Sequence, residues 1–223
     1  MYNERCNILE SSNIVEADCN IYMNKNLNKK PYFIKIKDLF DKIDKVSYEE
    51  KTLLLQSLLK TLSLEEYNVS KIKNRNVLHK LARVPHPIAK ECINKICLLD
   101  TNIINELNEH QETALMSAID AYMCAENDRE KLCILDNIKV LQDKNADVHL
   151  LDENNMNVLH RICFSDCVIL LAKFLDLNVN INQKDKFGKN PIEYLSPKLS
   201  NKMRTFFETY AIKKKLTVLI KNI

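Results

Sequence analysis

Among side chains able to do chemistry, His160, Cys163 and Cys167 stand closest together, as a His-x2-Cys-x3-Cys run of zinc-ligand types. A closed zinc site wants four ligands, and no second tight pair accompanies these three. His79 and His160 are candidate general bases, but no Ser, Cys and acid arrangement repeats around them. Lys213-Lys214-Lys215 opens a basic tail that would suit nucleic acid, acidic lipid or an import receptor. Its alternative reading, which we favour, is a solvated helix end where cations complement the helix dipole.

Gly188 is the only glycine in 223 residues. Phosphate loops, dinucleotide-binding turns and nucleophile elbows need glycines, because their backbone takes positive φ or closely approaches a ligand. The common nucleotide-using enzymes are thereby excluded. The sequence predicts no catalytic residue, no metal site and no cofactor.

The elements that would carry these residues repeat. Asn76-Val77-Leu78-His79, Thr113-Ala114-Leu115-Met116, Asn157-Val158-Leu159-His160 and Asn190-Pro191-Ile192-Glu193 are four versions of one cue. The anchors Leu78, Leu115, Leu159 and Ile192 are spaced 37, 44 and 33 residues apart. Behind the first three cues, apolar residues fall at Leu81 and Ala82, at Ala118 and Ile119, and at Ile162 and Cys163. Cys163 therefore takes a position filled by Ala82 and Ile119 elsewhere, which makes it a core residue. Each cue begins with an N-cap residue whose side-chain oxygen can satisfy an orphan amide, and Pro191 suits the first helical position.

A second apolar stripe follows each cue. These are Ile88, Cys92, Ile93, Ile96 and Cys97; Leu135, Ile138 and Leu141; Val168, Leu171 and Leu175; and Met203, Phe206, Phe207 and Tyr210. Asn145 and Asn178 follow two of these helices where a left-handed cap is wanted. Both lie twelve residues before the next N-cap. Ser47 with Glu50 is a capping-box start for a helix bearing Leu53, Leu54, Leu55, Leu58, Leu59 and Leu62. Phe33, Ile36, Leu39, Phe40 and Ile43 suggest one more helix ahead of it.

The run from Asn178 through Gly188 to Asn190-Pro191-Ile192 resembles the hairpin and Thr-Pro-Leu-His motif of the ankyrin-repeat family. Ala146-Asp147-Val148-His149 to Asp152, followed by Asn157-Val158-Leu159-His160, is similar with two substitutions. The resemblance covers about residues 64–215 and is degenerate in its first half, where Gly, Pro and Ala positions are lost. Such eroded arrays look most like viral ankyrin proteins, including poxviral and polydnaviral inhibitor-of-NF-kappa-B mimics; intracellular-bacterial effectors are a second group. The resemblance implies an all-α solenoid of about four repeats, with His79 and His160 bracing helix start and hairpin. It further implies a groove of hairpin tips and inner helix faces that holds a protein partner. Asn105, Glu106, Glu109 and His110 would form one tip, Asp152, Glu153 and Asn154 the next, and Lys184, Asp185 and Lys186 the third. Asn and Asp also suit turns in their own right.

The expected organisation is a loosely ordered polar leader at 1–30, an N-terminal helical cap or degenerate repeat at 31–70, the repeats at 71–215 and a tail at 216–223. No apolar run approaches the ~20 residues of a membrane span, and Met1 to Arg5 shows no secretory signal. With eight cysteines expected to be reduced, the reading is an intracellular protein, cytoplasmic or nuclear. Net charge is +3, which does not by itself point to nucleic acid. The functional expectation is a non-enzymatic interaction module, with a host signalling or transcription regulator as partner if the viral likeness holds. The alternative is a bacterial effector or an enzyme fragment whose activity lies in the N-terminal segment.

Overall fold

The structure, a computed structural model, describes residues 42–43, 45–62, 77–165, 167–195, 205 and 209–210. The leader at 1–30, most of the helix suggested between Phe33 and Ile43, Asn76, the stripe residues Met203, Phe206 and Phe207, Lys213 to Lys215 and the tail at 216–223 lie outside these residues. Among the described residues the fold is all-α, with no strand.

Among the described residues seven α-helices follow in order: α1 (Tyr48–Leu62), α2 (Val77–Ala82), α3 (Pro87–Leu99), α4 (Ala114–Cys124), α5 (Asp128–Asp143), α6 (Val158–Ser165) and α7 (Val168–Asp176). Short 3-10 helices occupy Thr101–Asn105 and Pro191–Tyr194. Helices α2 and α3, α4 and α5, and α6 and α7 pack as pairs. Successive pairs stack: α2 on α4, α4 on α6, and α6 on the Pro191–Tyr194 helix in one row. In a second row α1 packs on α3 and α3 on α5. One apolar core runs from Ile43 to Leu195 without a break.

Local chemistry sets the boundaries. Ser47 and Glu50 exchange side-chain and backbone hydrogen bonds at 3.1 and 3.2 Å, which starts α1 as the capping box requires. The Thr113 hydroxyl accepts from the Met116 amide at 3.2 Å. Asn157 Oδ1 accepts from Leu159 and His160, and Asn190 Oδ1 from Ile192. Leu78, Leu115 and Leu159 are fully buried at equivalent places, one residue into their helices. The fourth cue departs from this. Pro191–Tyr194 is a 3-10 helix, and Ile192 is only half-buried. The α5 stripe also differs in detail: Ile134, Asn137, Ile138 and Leu141 face the core, with Leu135 at its edge.

Asn137 is a polar residue inside that stripe. Its amide donates to the Leu81, Ala82 and Val84 carbonyls at 3.5, 3.3 and 3.0 Å, so it caps the end of α2 from the next pair. The last carbonyls of a helix have no partner within it, and here a neighbour supplies the donor.

Asn145 and Asn178 hold φ values of 62° and 59°, which close α5 and α7 with left-handed caps. Asparagine carries a steric cost there that glycine lacks. Replacing Asn178 by glycine should therefore hold or raise stability, while Asn178→Ala should lower it by about 1 kcal/mol. Urea denaturation of the two variants checks this, and equal stability of both would contradict the cap.

Candidate functional site

Three loops repeat one geometry. In each, an Asn or Asp side-chain oxygen accepts from the backbone amides two and four residues on: Asn108 from His110 and Glu112, Asp152 from Asn154 and Met156, Asp185 from Phe187 and Lys189. The third residue onward has positive φ each time, at Gln111, Asn155 and Gly188. The fifth onward is the N-cap, namely Thr113, Asn157 and Asn190. The side chains of the two residues after the Asn or Asp take no part in these loop bonds. They are Glu109 and His110, Glu153 and Asn154, and Lys186 and Phe187.

The loops are tied to each other. The Glu153 amide donates to the His110 carbonyl at 3.3 Å, and the Lys186 amide to the Asn154 carbonyl at 2.9 Å. Histidines brace them from behind. His79 Nε2 donates to the Glu112 carbonyl at 2.8 Å, and His160 Nε2 to the Lys189 carbonyl at 3.3 Å. A carbonyl only accepts, so Nε2 carries the proton in both rings. His160 Nδ1 meanwhile accepts from the Asn157 amide at 3.1 Å. His86 works alike at the start of α3: Nδ1 accepts from the Ile88 amide and Nε2 lies 2.9 Å from the Thr52 hydroxyl. Burial, the largest effect, pushes all three imidazoles below their ordinary pKa.

The His160, Cys163 and Cys167 run does not converge on a common point, since both ring nitrogens of His160 are spent on Asn157 and Lys189. Cys163 is fully buried in the core, as its stripe position implies. Burial also raises the Cys92 thiol to about 12 and the Cys97 thiol to about 11. Among the described residues no group of three or more His, Cys, Asp or Glu is arranged to hold a metal.

Of the expected tip residues, Glu109, His110, Glu153, Lys184 and Lys186 are exposed, and Glu106 and Asn154 half-buried. The side chains of Asp152 and Asp185 are not available to a partner as expected. Both are buried, 5% and 6% exposed, because their oxygens hold the loop amides. Asp185 also accepts from the Tyr194 hydroxyl. Burial would raise its pKa, but the Tyr194 hydroxyl and the loop amides outweigh that and hold it low. Asn105 likewise turns inward, where its oxygen accepts from the Asp147 amide at 2.8 Å. Phe187, 73% exposed, takes the tip place that the sequence reading left out. Its signal was register, two residues after Asp185, as His110 is after Asn108.

Between the first two tips lies a cleft of about 250 Å³. His110, Glu153 and Asn154 form its rim, with Met123 of α4, Phe164 of α6 and Tyr194 among its walls. At its base Arg161 bonds Glu112 at 2.9 Å, Asp152 at 2.6 Å and Asp120. The guanidinium side chain is 12% exposed and links α6 to α4 and to both loops. Burial would lower the Arg161 pKa, but the surrounding carboxylates overcome it and raise it, so the cation persists. Burial raises Asp120 beyond what Arg161 offsets, and the Glu112 charge adds to it. For Glu112, burial is outweighed by the Asn108 amide and Arg161, which hold it low.

No family model matches the chain, and no curated protein matches it significantly. Among the described residues no helix is long and apolar enough to cross a membrane.

Removing Arg161 would leave three poorly solvated carboxylates facing one another. Arg161→Ala should cost about 3–5 kcal/mol at neutral pH. Without the cation the folded-state carboxylate pKa values rise above their unfolded values, so the deficit should shrink as pH falls toward about 4. Denaturant titrations of both proteins across that range decide the matter, and a deficit independent of pH would contradict the electrostatic account. The histidines give a second dependence. Their folded-state pKa values lie below the unfolded value, so the unfolded chain takes up protons first as pH drops below about 6.5. Stability should fall between about pH 7 and 5.5, by up to about 1.4 kcal/mol per pH unit for each ring. His86→Gln should flatten that slope, whereas an unchanged slope would remove His86 from its cause.

Proposed function

We propose that this chain is an ankyrin-type repeat solenoid that acts as a non-enzymatic protein–protein interaction module. The observation that carries the reading is the threefold loop. Its buried residues do the same work in every copy, while the two outward residues change from Glu-His to Glu-Asn to Lys-Phe. A surface whose scaffold repeats and whose tips differ in charge and shape is suited to reading an extended partner. The stacked helix pairs, the histidine braces and the Asn left-handed caps support the repeat assignment.

The partner is a protein, and with the viral likeness of the array it would be a host signalling or transcription regulator inside the cell. The module needs no cofactor. Reversing charge at exposed tips, as Glu109→Lys with Lys184→Glu and Lys186→Glu, leaves every internal bond described above in place. Affinity capture from native lysate should lose its specific partner with the triple variant, while the melting temperature stays within error. Retention of that partner at full yield would place recognition on another surface.

A further inference from the structure

The cleft between the first two tips carries a charge imbalance that its own residues do not resolve. Glu112, Asp120 and Asp152 share the single Arg161 guanidinium, and Glu153 adds a fourth carboxylate at the rim, 3.7 Å from the His110 ring. Arg83 lends only a weaker field to Asp120. Carboxylates thus outnumber arginines four to two even with Arg83 included. In a cleft with low-dielectric walls such an excess is focused outward rather than dispersed.

The walls give the second half of the argument. Phe164 projects from α6 with 67% of its surface exposed, beside Met123 and Met156 along the same cleft. An aromatic face and two thioethers next to carboxylates in excess of cations match a guanidinium or ammonium carried on an apolar stem. A purely apolar ligand would leave the carboxylates desolvated, and an acidic one would be repelled.

We propose that this cleft is the docking pocket for a basic side chain, Arg or Lys, presented with an adjacent apolar residue on an extended segment of a partner protein. The proposal rests on the interaction-module reading and names the chemistry that one part of that surface selects. The cation would meet Glu153 at the rim and the part-exposed Glu112 and Asp120 below it, while its stem lies against Phe164. The neighbouring apolar residue would lie on Met123 and Met156.

The test uses the full chain and fluorescein-labelled short peptides with Arg, Lys, norleucine or Glu fixed beside a Leu, followed by fluorescence polarisation. Arg and Lys peptides should bind roughly tenfold tighter than norleucine or Glu peptides, and the preference should weaken severalfold between about 50 and 500 mM salt. Glu153→Lys and Phe164→Ser alter exposed side chains outside the Arg161 bonds; each should reduce Arg-peptide binding at least severalfold with an unchanged thermal melt. Equal binding of all four peptides, or an Arg preference untouched by both variants, would overturn the proposal. So would suppression of the preference by millimolar Mg2+ or Ca2+ at constant ionic strength, which would make the cleft a cation site. Capture lost with the tip variant but kept with both cleft variants would leave the interaction module standing and remove this pocket. Capture kept by all variants would place recognition on another surface and remove this pocket.

Discussion

Every helix pair here has an apolar side that it cannot hide by itself. Helix α2 has six residues and α6 eight, lengths at which an isolated helix gains too few hydrogen bonds to offset nucleation. Their stability comes from the neighbour. Leu78, Leu115 and Leu159 are fully buried because the next pair covers them, and the core continues unbroken through each junction. The same dependence holds for polar groups. Asn137 of one pair satisfies carbonyls of the preceding one, and each bracing histidine reaches into the following loop. Apolar burial holds the stack together without direction, and these few hydrogen bonds fix its register.

That division of labour explains which features could be read from the residues alone. N-caps at Thr113, Asn157 and Asn190, the Ser47–Glu50 box and the left-handed Asn145 and Asn178 depend on a few neighbouring residues, so local chemistry suffices to place them. The apolar stripes follow from helical periodicity and were legible to within one position, as Leu135 against Ile134 shows. Gln111 was not legible, because glutamine has no particular preference for positive φ.

The site was harder, for a physical reason. Arg161 collects carboxylates 49, 41 and 9 residues away, and no local pattern marks which distant acids will meet one arginine. Asp152 and Asp185 misled in the opposite sense. Acidic residues at a turn read naturally as exposed, yet the turn itself consumes their oxygens. A loop Asn or Asp that precedes a positive-φ residue by three is better assigned to the scaffold, and the two residues between them to the surface. Applied here, that rule selects Glu109, His110, Glu153, Asn154, Lys186 and Phe187.

The same separation bears on how such a surface could change its partner. Residues that hold amides, cap helices or brace loops cannot be exchanged without leaving a buried polar group unsatisfied, a cost of about 1–3 kcal/mol. Outward residues at the tips carry no such obligation, so their charge and shape are free to vary while the stack stays intact. Arg161 joins the two sets, because its bonds align α4, α6 and both loops while its carboxylates face the cleft. Its removal would therefore disturb the fold and the surface together. Glu153 and Phe164, which border the cleft outside that network, would disturb the surface alone. On the proposed reading, recognition would be set by side chains the fold does not need, mounted on loops whose position it fixes through those it does.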